Sequence, residues 1–381
     1  MITTGLKKFD EYLNGGIPKG KSLLFQIEPG MEETDIAFHI MKENAEKVNT
    51  IYVSSVSSPK NVYKKMEEFN LEIKEKKFAV VDGYSSLIGA PSEEKYVVEE
   101  PHDIGSYEDV IFHALEDMGG DTLIVFDSLS NIMDLCNERT ALEGIERINN
   151  EISKIGAYIL FNFIAWPYKE AVLYKIKRMF NAIIYARKEG SLPLMEIKRV
   201  DWNGKIAKFY FKIFKPDGLR IYIPKIIVTG SFKAGKTTFL KSISKKFFPV
   251  ERLGATTGVE YGIVDYKGYR ADVFGIPGRE GFAPLLDKFA GSSMGVIIVL
   301  DSTDESSIRI AKNLVEKFRN VPHLIVANKQ DAINAKSMEE IKRMLFPYNG
   351  EIVKASAING VGTMEAFEIL ADKILEELNV N

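Results

Sequence analysis

The stretch "KIIVTGSFKAGKTTFLKSISKKF" (225–247) constrains the fold of this chain more than any other. An apolar, β-branched run ends in G-x-x-x-x-G-K-T and opens a helical pattern. Small residues at those spacings let successive backbone N–H groups wrap an anion at the helix N-terminus. A buried strand feeding a helix in this way belongs to an α/β sheet covered by helices.

The same alternation recurs along the chain. In the first half it is carried by "NTIYVSS" (49–55), "KFAVVDG" (77–83), "DTLIVFDS" (121–128) and "AYILFNFIA" (157–165). In the second half it is carried by "YRADVFG" (269–275), "MGVIIVLD" (294–301), "HLIVANK" (323–329) and "EIVKAS" (351–356). Between them, "LMEIKRVDWNGKIAKFYFKIFKPDGLRIYIP" (194–224) alternates around Asn-Gly and Asp-Gly turns, which predicts antiparallel hairpins closing a domain. A new strand is expected after Pro224. The 381 residues therefore read as two P-loop-type three-layer α/β domains, 1–222 and 223–381, with mostly parallel sheets. The acidic segment 91–109, with two prolines, reads as an exposed loop.

Composition narrows the function. A formal net charge of −3 gives no overall basic field, which disfavours nucleic acid as a partner. Cys136 is the only cysteine, and His39, His102, His113 and His323 lack ligand spacing, so neither a disulfide nor a thiolate metal cluster is expected. No apolar run approaches the ~20 residues of a membrane span, and the expected location is cytoplasmic.

Within the intact loop, Gly230 and the backbone N–H groups of Lys233, Ala234, Gly235, Lys236, Thr237 and Thr238 are the expected phosphate cradle. The Lys236 ammonium should reach the β- and γ-phosphates, and the Thr237 hydroxyl should ligate Mg²⁺. "VANKQDA" (326–332) closes an apolar strand with N-K-x-D, where the Asp331 carboxylate matches the N1–H and N2 amine donors of guanine. Asn328 and the Lys329 stem would brace that loop. Ser356 and Ala357 of "ASA" (355–357) would offer backbone N–H groups near guanine O6.

In order and spacing these motifs resemble small GTPases of the Ras, Rab and Arf superfamily over residues 225–381. The resemblance implies GTP/GDP and Mg²⁺ as cofactors. It makes "ATTGVEYG" (255–262) switch I, with Thr256 a second Mg²⁺ ligand and γ-phosphate sensor. It makes "VFGIPGREGF" (273–282) switch II, with the Gly278 N–H directed at the γ-phosphate. Here the sequence departs from D-x-x-G-Q. The usual aspartate is Gly275 and the usual glutamine is Arg279, an F-G-x-P-G form similar to a prokaryotic branch of the superfamily. Arg279 is either an arginine finger in cis or a residue leaving the water-positioning role unfilled, and slow hydrolysis is expected.

The opening "TTGLKKFDEYLNGGIPKGKSLLFQIEPG" (3–30) resembles KaiC-like members of the RecA ATPase superfamily, over about the first 220 residues. In that resemblance Asp127 and Ser128 are the Walker B positions. Yet "IEPGMEET" (27–34) puts Ile27, Glu32 and Glu33 where the loop's glycines and lysine belong, keeping only Thr34. Val56 and Ser57 replace the glutamates that would act on water. The expected protein is a GTP-dependent switch with a pseudo-ATPase scaffold, acting on unidentified protein effectors or regulators and able to form homo- or hetero-oligomers through its KaiC-like domain. Two rivals stay open: a GTP/GDP-binding interaction protein without turnover, and a KaiC- or recombinase-like ATPase.

Overall fold

The computed structural model describes residues 1–31, 35–248, 258–278, 284, 286, 288 and 292–380. The chain divides into two compact units, Met1–Arg220 and Ile221–Asn381. Each combines mostly parallel strands with helices, so the α/β class holds for both.

The first unit opens with α1 (Lys7–Tyr12), β1 (Ser22–Ile27), α2 (Ile36–Asn44), β2 (Asn49–Ser54) and α3 (Pro59–Glu68). Next come β3 (Phe78–Asp82), β4 (Tyr96–Val97), α4 (Ile104–Met118), β5 (Thr122–Asp127), α5 (Leu129–Leu135) and α6 (Glu138–Ile155). It ends with β6 (Tyr158–Ile164), α7 (Glu170–Met179), β7 (Ala182–Glu189), β8 (Leu192–Val200) and β9 (Ala207–Phe214). The strand order is β4-β3-β2-β5-β6-β1-β7-β8-β9. It is parallel from β4 to β7 and antiparallel across β7, β8 and β9.

The parallel strands read as unbroken apolar runs because both faces are covered; Leu123 to Phe126 of β5 are fully buried. Helix α6 is amphipathic, with Ile145, Ile148 and Ile152 buried on one face, and it stops at left-handed Gly156. Segment 91–109 departs from the exposed-loop expectation. Tyr96 and Val97 pair with Val81 and Asp82, Val98 is buried, and α4 starts at Ile104. Two apolar side chains turned into the core outweigh the acidic residues around them.

The second unit takes β10 (Gly218–Gly230) from Ile221 onwards. It continues through α8 (Lys236–Ile243), β11 (Lys246–Phe248), β12 (Glu260–Tyr266), β13 (Tyr269–Gly275) and β14 (Gly295–Asp301). After these come α9 (Glu305–Lys317), β15 (His323–Asn328), α10 (Met338–Leu345), β16 (Ile352–Lys354) and α11 (Thr363–Val380). The sheet order is β11-β12-β13-β10-β14-β15-β16, antiparallel at β11–β12–β13 and parallel elsewhere.

The new strand expected after Pro224 does not begin there; Pro224 lies inside β10, which runs from Gly218 to Gly230. The register with β13 shifts between Ile223 and Ile226, around a residue that has no N–H to give the ladder. No described helix is long and apolar enough to cross a membrane.

Candidate functional site

β10 is flanked by β13 and β14, so its carboxyl end opens at the centre of the second sheet, where α/β folds place their ligands. Gly230, Ser231, Phe232, Lys233, Ala234 and Gly235 connect it to α8. Gly230 has φ +149°, and a Cβ there would meet the Val299 carbonyl oxygen at 1.9 Å, so no other residue fits. Gly235 has φ +95° and leaves 2.3 Å between such a Cβ and Asn328 Nδ2. Lys233 also takes a left-handed conformation, φ +63°. Backbone N–H groups and the helix N-terminus therefore face the same concavity.

Lys236 and Thr237 open α8, with Thr238 beside them on the exposed side. The Lys236 ammonium donates to the Ser231 carbonyl at 2.7 Å, laying its side chain back along the loop. Thr237 donates its hydroxyl to Glu260 Oε1 at 2.5 Å. A cleft of about 480 Å³ follows, lined among others by Phe232, Lys236, Thr237, Glu260, Gly275 and Lys329. That volume suits a small-molecule ligand. A larger depression of about 820 Å³ includes His323 at the amino end of β15. It has no phosphate loop and lies at the strand ends where such sheets do not bind ligands.

The expected base loop meets the phosphate loop through one side chain. Asn328, buried at the end of β15, donates from Nδ2 to the Ala234 carbonyl at 2.9 Å and accepts from the Ala357 N–H at 2.9 Å. The Ser356 N–H donates to the Val361 carbonyl. Both N–H groups assigned to guanine O6 are thus engaged within the protein. Lys329, at φ +62°, binds Asp301 Oδ2 at 2.5 Å. Burial opposes ionisation of Asp301, but the Lys329 ammonium and the two Thr303 donors outweigh it and hold the carboxyl below its ordinary pKa. Asp331 is exposed, and its carboxylate has no hydrogen-bond partner among the described residues.

On the switch side, the Gly278 N–H donates to the Gly230 carbonyl at 3.2 Å, and a Cβ at Gly278 would meet that oxygen at 2.8 Å. Gly275 ends β13 directly opposite Glu260 of β12. Thr256 and Arg279 lie outside the described residues, as do Glu32, Glu33 and Thr34 of the first loop.

Sequence reasoning passed over two residues of this site. Asp301 closes the apolar run "GVIIVLD" (295–301), and a carboxylate at a buried strand end was its only signal. Glu260 sits inside the stretch read as switch I, and nothing in "EYGIVDY" (260–266) itself marks it as a site residue.

The corresponding region of the first unit is built differently. Asp127, at the end of β5, accepts from the Tyr52 phenol at 2.5 Å and from Asn162 at 3.4 Å. Tyr52 is 1% exposed, and burial together with the Asp127 charge raises its pKa well above the ordinary value. Ser128 caps α5 by accepting from the Asn131 N–H. Val56 is exposed, and the Ser57 carbonyl accepts from the Ser54 hydroxyl. Asp35 binds both Lys65, at 2.6 Å, and Lys215, at 3.2 Å.

Comparison with known proteins divides the chain similarly. A model of the KaiC family matches residues 2–185, and a model of the ADP-ribosylation factor family matches residues 215–374. Human ADP-ribosylation factor-related protein 1 is 30% identical over 173 residues, covering 40% of this chain and 86% of that protein. ADP-ribosylation factor-like protein 3 of Caenorhabditis elegans is 37% identical over 142 residues, 35% of this chain and 74% of its own length. A UPF0273 protein of Aeropyrum pernix is 31% identical over 137 residues, 34% of this chain and 55% of that protein. Among solved structures, a KaiC-like protein of Pyrococcus horikoshii OT3 covers 57% of this chain and 96% of its own, at 20% identity and TM-score 0.46. With a strand–loop–helix motif of G-x-x-x-x-G-K-T form joined by Asn328 to an N-K-x-D loop, and with a human relative 30% identical and covered over 86% of its length, the chain belongs to the ADP-ribosylation factor family, carrying that family's domain C-terminal to a KaiC-like one.

Proposed function

We propose that the second unit binds GTP and GDP with Mg²⁺ and acts as a slow nucleotide-dependent switch, while the first unit is a scaffold without ATPase activity. The observation that carries the nucleotide reading is Asn328, which ties the phosphate loop to the base loop through Ala234 and Ala357. One ligand spanning both loops would have a phosphate at one end and a purine at the other. Guanine is favoured because Asp331 offers a free acceptor pair for two donors that adenine lacks. Its O6 would share the Ala357 N–H or take it from Asn328.

The cleft suits Mg²⁺ in donor chemistry: the Thr237 hydroxyl and the Glu260 carboxylate are hard oxygen donors beside the phosphate loop. When bound, such an ion neutralises charge developing on the β- and γ-phosphate oxygens. Thr256 is proposed as a further ligand, and the Gly278 N–H as a γ-phosphate donor released from Gly230. Phe232, exposed at the cleft mouth, narrows the approach of a partner's arginine.

For the first unit, three features support an inactive reading. Glu32 and Glu33 in the loop would repel a polyphosphate by about 1–4 kcal/mol per contact at ~4 Å. Asp127 is occupied by the Tyr52 phenol, and no carboxylate stands at Val56 or Ser57 to act on water. We also propose that unidentified protein effectors or regulators act on the switch, that the KaiC-like unit mediates homo- or hetero-oligomers, and that the protein is cytoplasmic.

Measuring the nucleotide content of the purified chain, and its affinities for GTP, GDP and ATP, tests the reading directly. Tight GTP and GDP binding with weak ATP binding is expected; the reverse order overturns it. Turnover is tested at Arg279. With no glutamine at that position, Arg279→Gln is expected to raise single-turnover GTP hydrolysis without altering GTP affinity, since an amide both donates to phosphate and accepts from water. A fall of about 10³-fold would instead make Arg279 an arginine finger in cis. Undetectable hydrolysis by both forms would favour the interaction protein that holds nucleotide without turnover.

A further inference from the structure

We infer that Glu260 is the acidic residue of the Mg²⁺ site, delivering from β12 the carboxylate that Gly275 lacks on β13. The inference rests on the nucleotide reading above and assigns a role to a residue that the switch motifs do not single out.

Three observations converge on it. Glu260 and Gly275 are direct antiparallel partners, so their Cβ positions project to the same face. A Cβ built on Gly275 would lie 3.0 Å from Glu260 Oε2 and 3.2 Å from Glu260 Cβ. The glutamate thus occupies the volume into which an aspartate at Gly275 would extend its carboxylate. Finally, Glu260 Oε1 is 2.5 Å from the Thr237 hydroxyl, the expected ligand in the first turn of α8, and both residues line the cleft with Lys236. The chain has exchanged which strand of the hairpin carries the acid while leaving the acid's place unchanged.

A carboxylate there needs a cation. Among the described residues no lysine or arginine pairs with Glu260; its neighbour is a hydroxyl. Facing a polyphosphate alone, Glu260 repels it. With Mg²⁺ bound, its carboxylate would help to hold the ion beside the Thr237 hydroxyl. Its effect on nucleotide affinity therefore changes sign with the metal, which a glutamate serving only to accept the Thr237 hydrogen bond would not show.

Glu260→Gln separates the two roles, because the amide oxygen still accepts from Thr237 while the charge is gone. Release of fluorescent GDP from the full chain is followed in EDTA and across a Mg²⁺ titration. Metal-free GDP affinity is expected to stay level or rise, while the Mg²⁺ concentration for half-maximal retention rises about 10–100-fold, the usual cost of losing a carboxylate that orients a metal's ligands. Equal shifts in EDTA and in Mg²⁺, or none, overturn the inference. A parent chain that binds no guanine nucleotide in either condition overturns the nucleotide reading instead. Should Glu260→Gln melt early, the pair Glu260→Ala and Glu260→Ala/Gly275→Asp decides. Returning the carboxylate to β13 is expected to recover the parental Mg²⁺ requirement, and an equal requirement in both variants sinks the proposal.

Discussion

Lys236→Ala is expected to abolish GTP and GDP binding by the whole chain while leaving its fold intact. The side chain is half-exposed, and the Ser231 carbonyl that accepts from its ammonium can be served equally well by water in the variant. Its worth lies in the ligand. Two charge-assisted hydrogen bonds to phosphate at ~1.5–3 kcal/mol each amount to about 3–6 kcal/mol. That is about 10²–10⁴-fold in Kd. Calorimetric titration of the parent and variant with GTP, and an unchanged thermal melt, check the expectation. The same variant tests the first unit, since Glu33→Ala should leave nucleotide binding unchanged. If Lys236→Ala retained ATP at micromolar affinity, the chain's nucleotide site would lie in the KaiC-like unit, and the inactive reading of Glu32, Glu33 and Asp127 would be wrong.

The glycine positions of the 230–237 loop were legible in the sequence because their demands are local. Gly230 and Gly235 occupy backbone conformations and close approaches that exclude a side chain, and those constraints write themselves directly into residue identity. The buried parallel strands were legible for a related reason: burial on both faces leaves unbroken runs such as Leu123 to Phe126. What escaped depends on register and on neighbours distant in sequence. β12 shows weak alternation, with only Gly262 and Val264 buried, and nothing within "EYGIVDY" (260–266) says that Glu260 faces Gly275.

Asp301 and Lys329 meet because β14 and β15 are adjacent and parallel, a pairing that the separate runs do not encode. Pro224 misled for the opposite reason. A residue without an N–H usually ends a strand, but in β10 it falls where the register already shifts. In the first unit the motif residues Asp127 and Ser128 could be read off the sequence, whereas the phenol of Tyr52 on Asp127 could not. That contact joins side chains of the neighbouring strands β2 and β5, and it makes the carboxylate expected on the metal side a member of a part-buried hydrogen bond.

Guanine selectivity should reverse on a single atom exchange at Asp331. The residue sits in the turn after β15, held by the Gln330 N–H to the Ala355 carbonyl and the Ala332 N–H to the Lys329 carbonyl, bonds that its side chain does not join. Because Asp331 is exposed and makes no described side-chain hydrogen bond, Asp331→Asn costs the fold nothing that thermal melting would detect. Its effect falls on the base. In the proposed complex the carboxylate would accept from both N1–H and the N2 amine of guanine, and in the variant one acceptor would become an amide donor pointed at that amine. Losing one charge-assisted bond and opposing two donors is expected to weaken GTP by about 10²–10³-fold, at ~1.5–3 kcal/mol for the bond plus the desolvation of the unpaired donors. Xanthosine triphosphate carries a carbonyl oxygen where guanine carries the amine, so the new amide donates to it while its oxygen still accepts from N1–H. The ratio of GTP to XTP affinity should therefore move by about 10⁴-fold, the range seen when a hydrogen-bonding site meets a ligand lacking the matching group. Competition of both triphosphates against fluorescent GDP measures that ratio in parent and variant. An unchanged ratio would mean that Asp331 does not face the base, and that the N-K-x-D loop owes its shape to Asn328 and Lys329 alone.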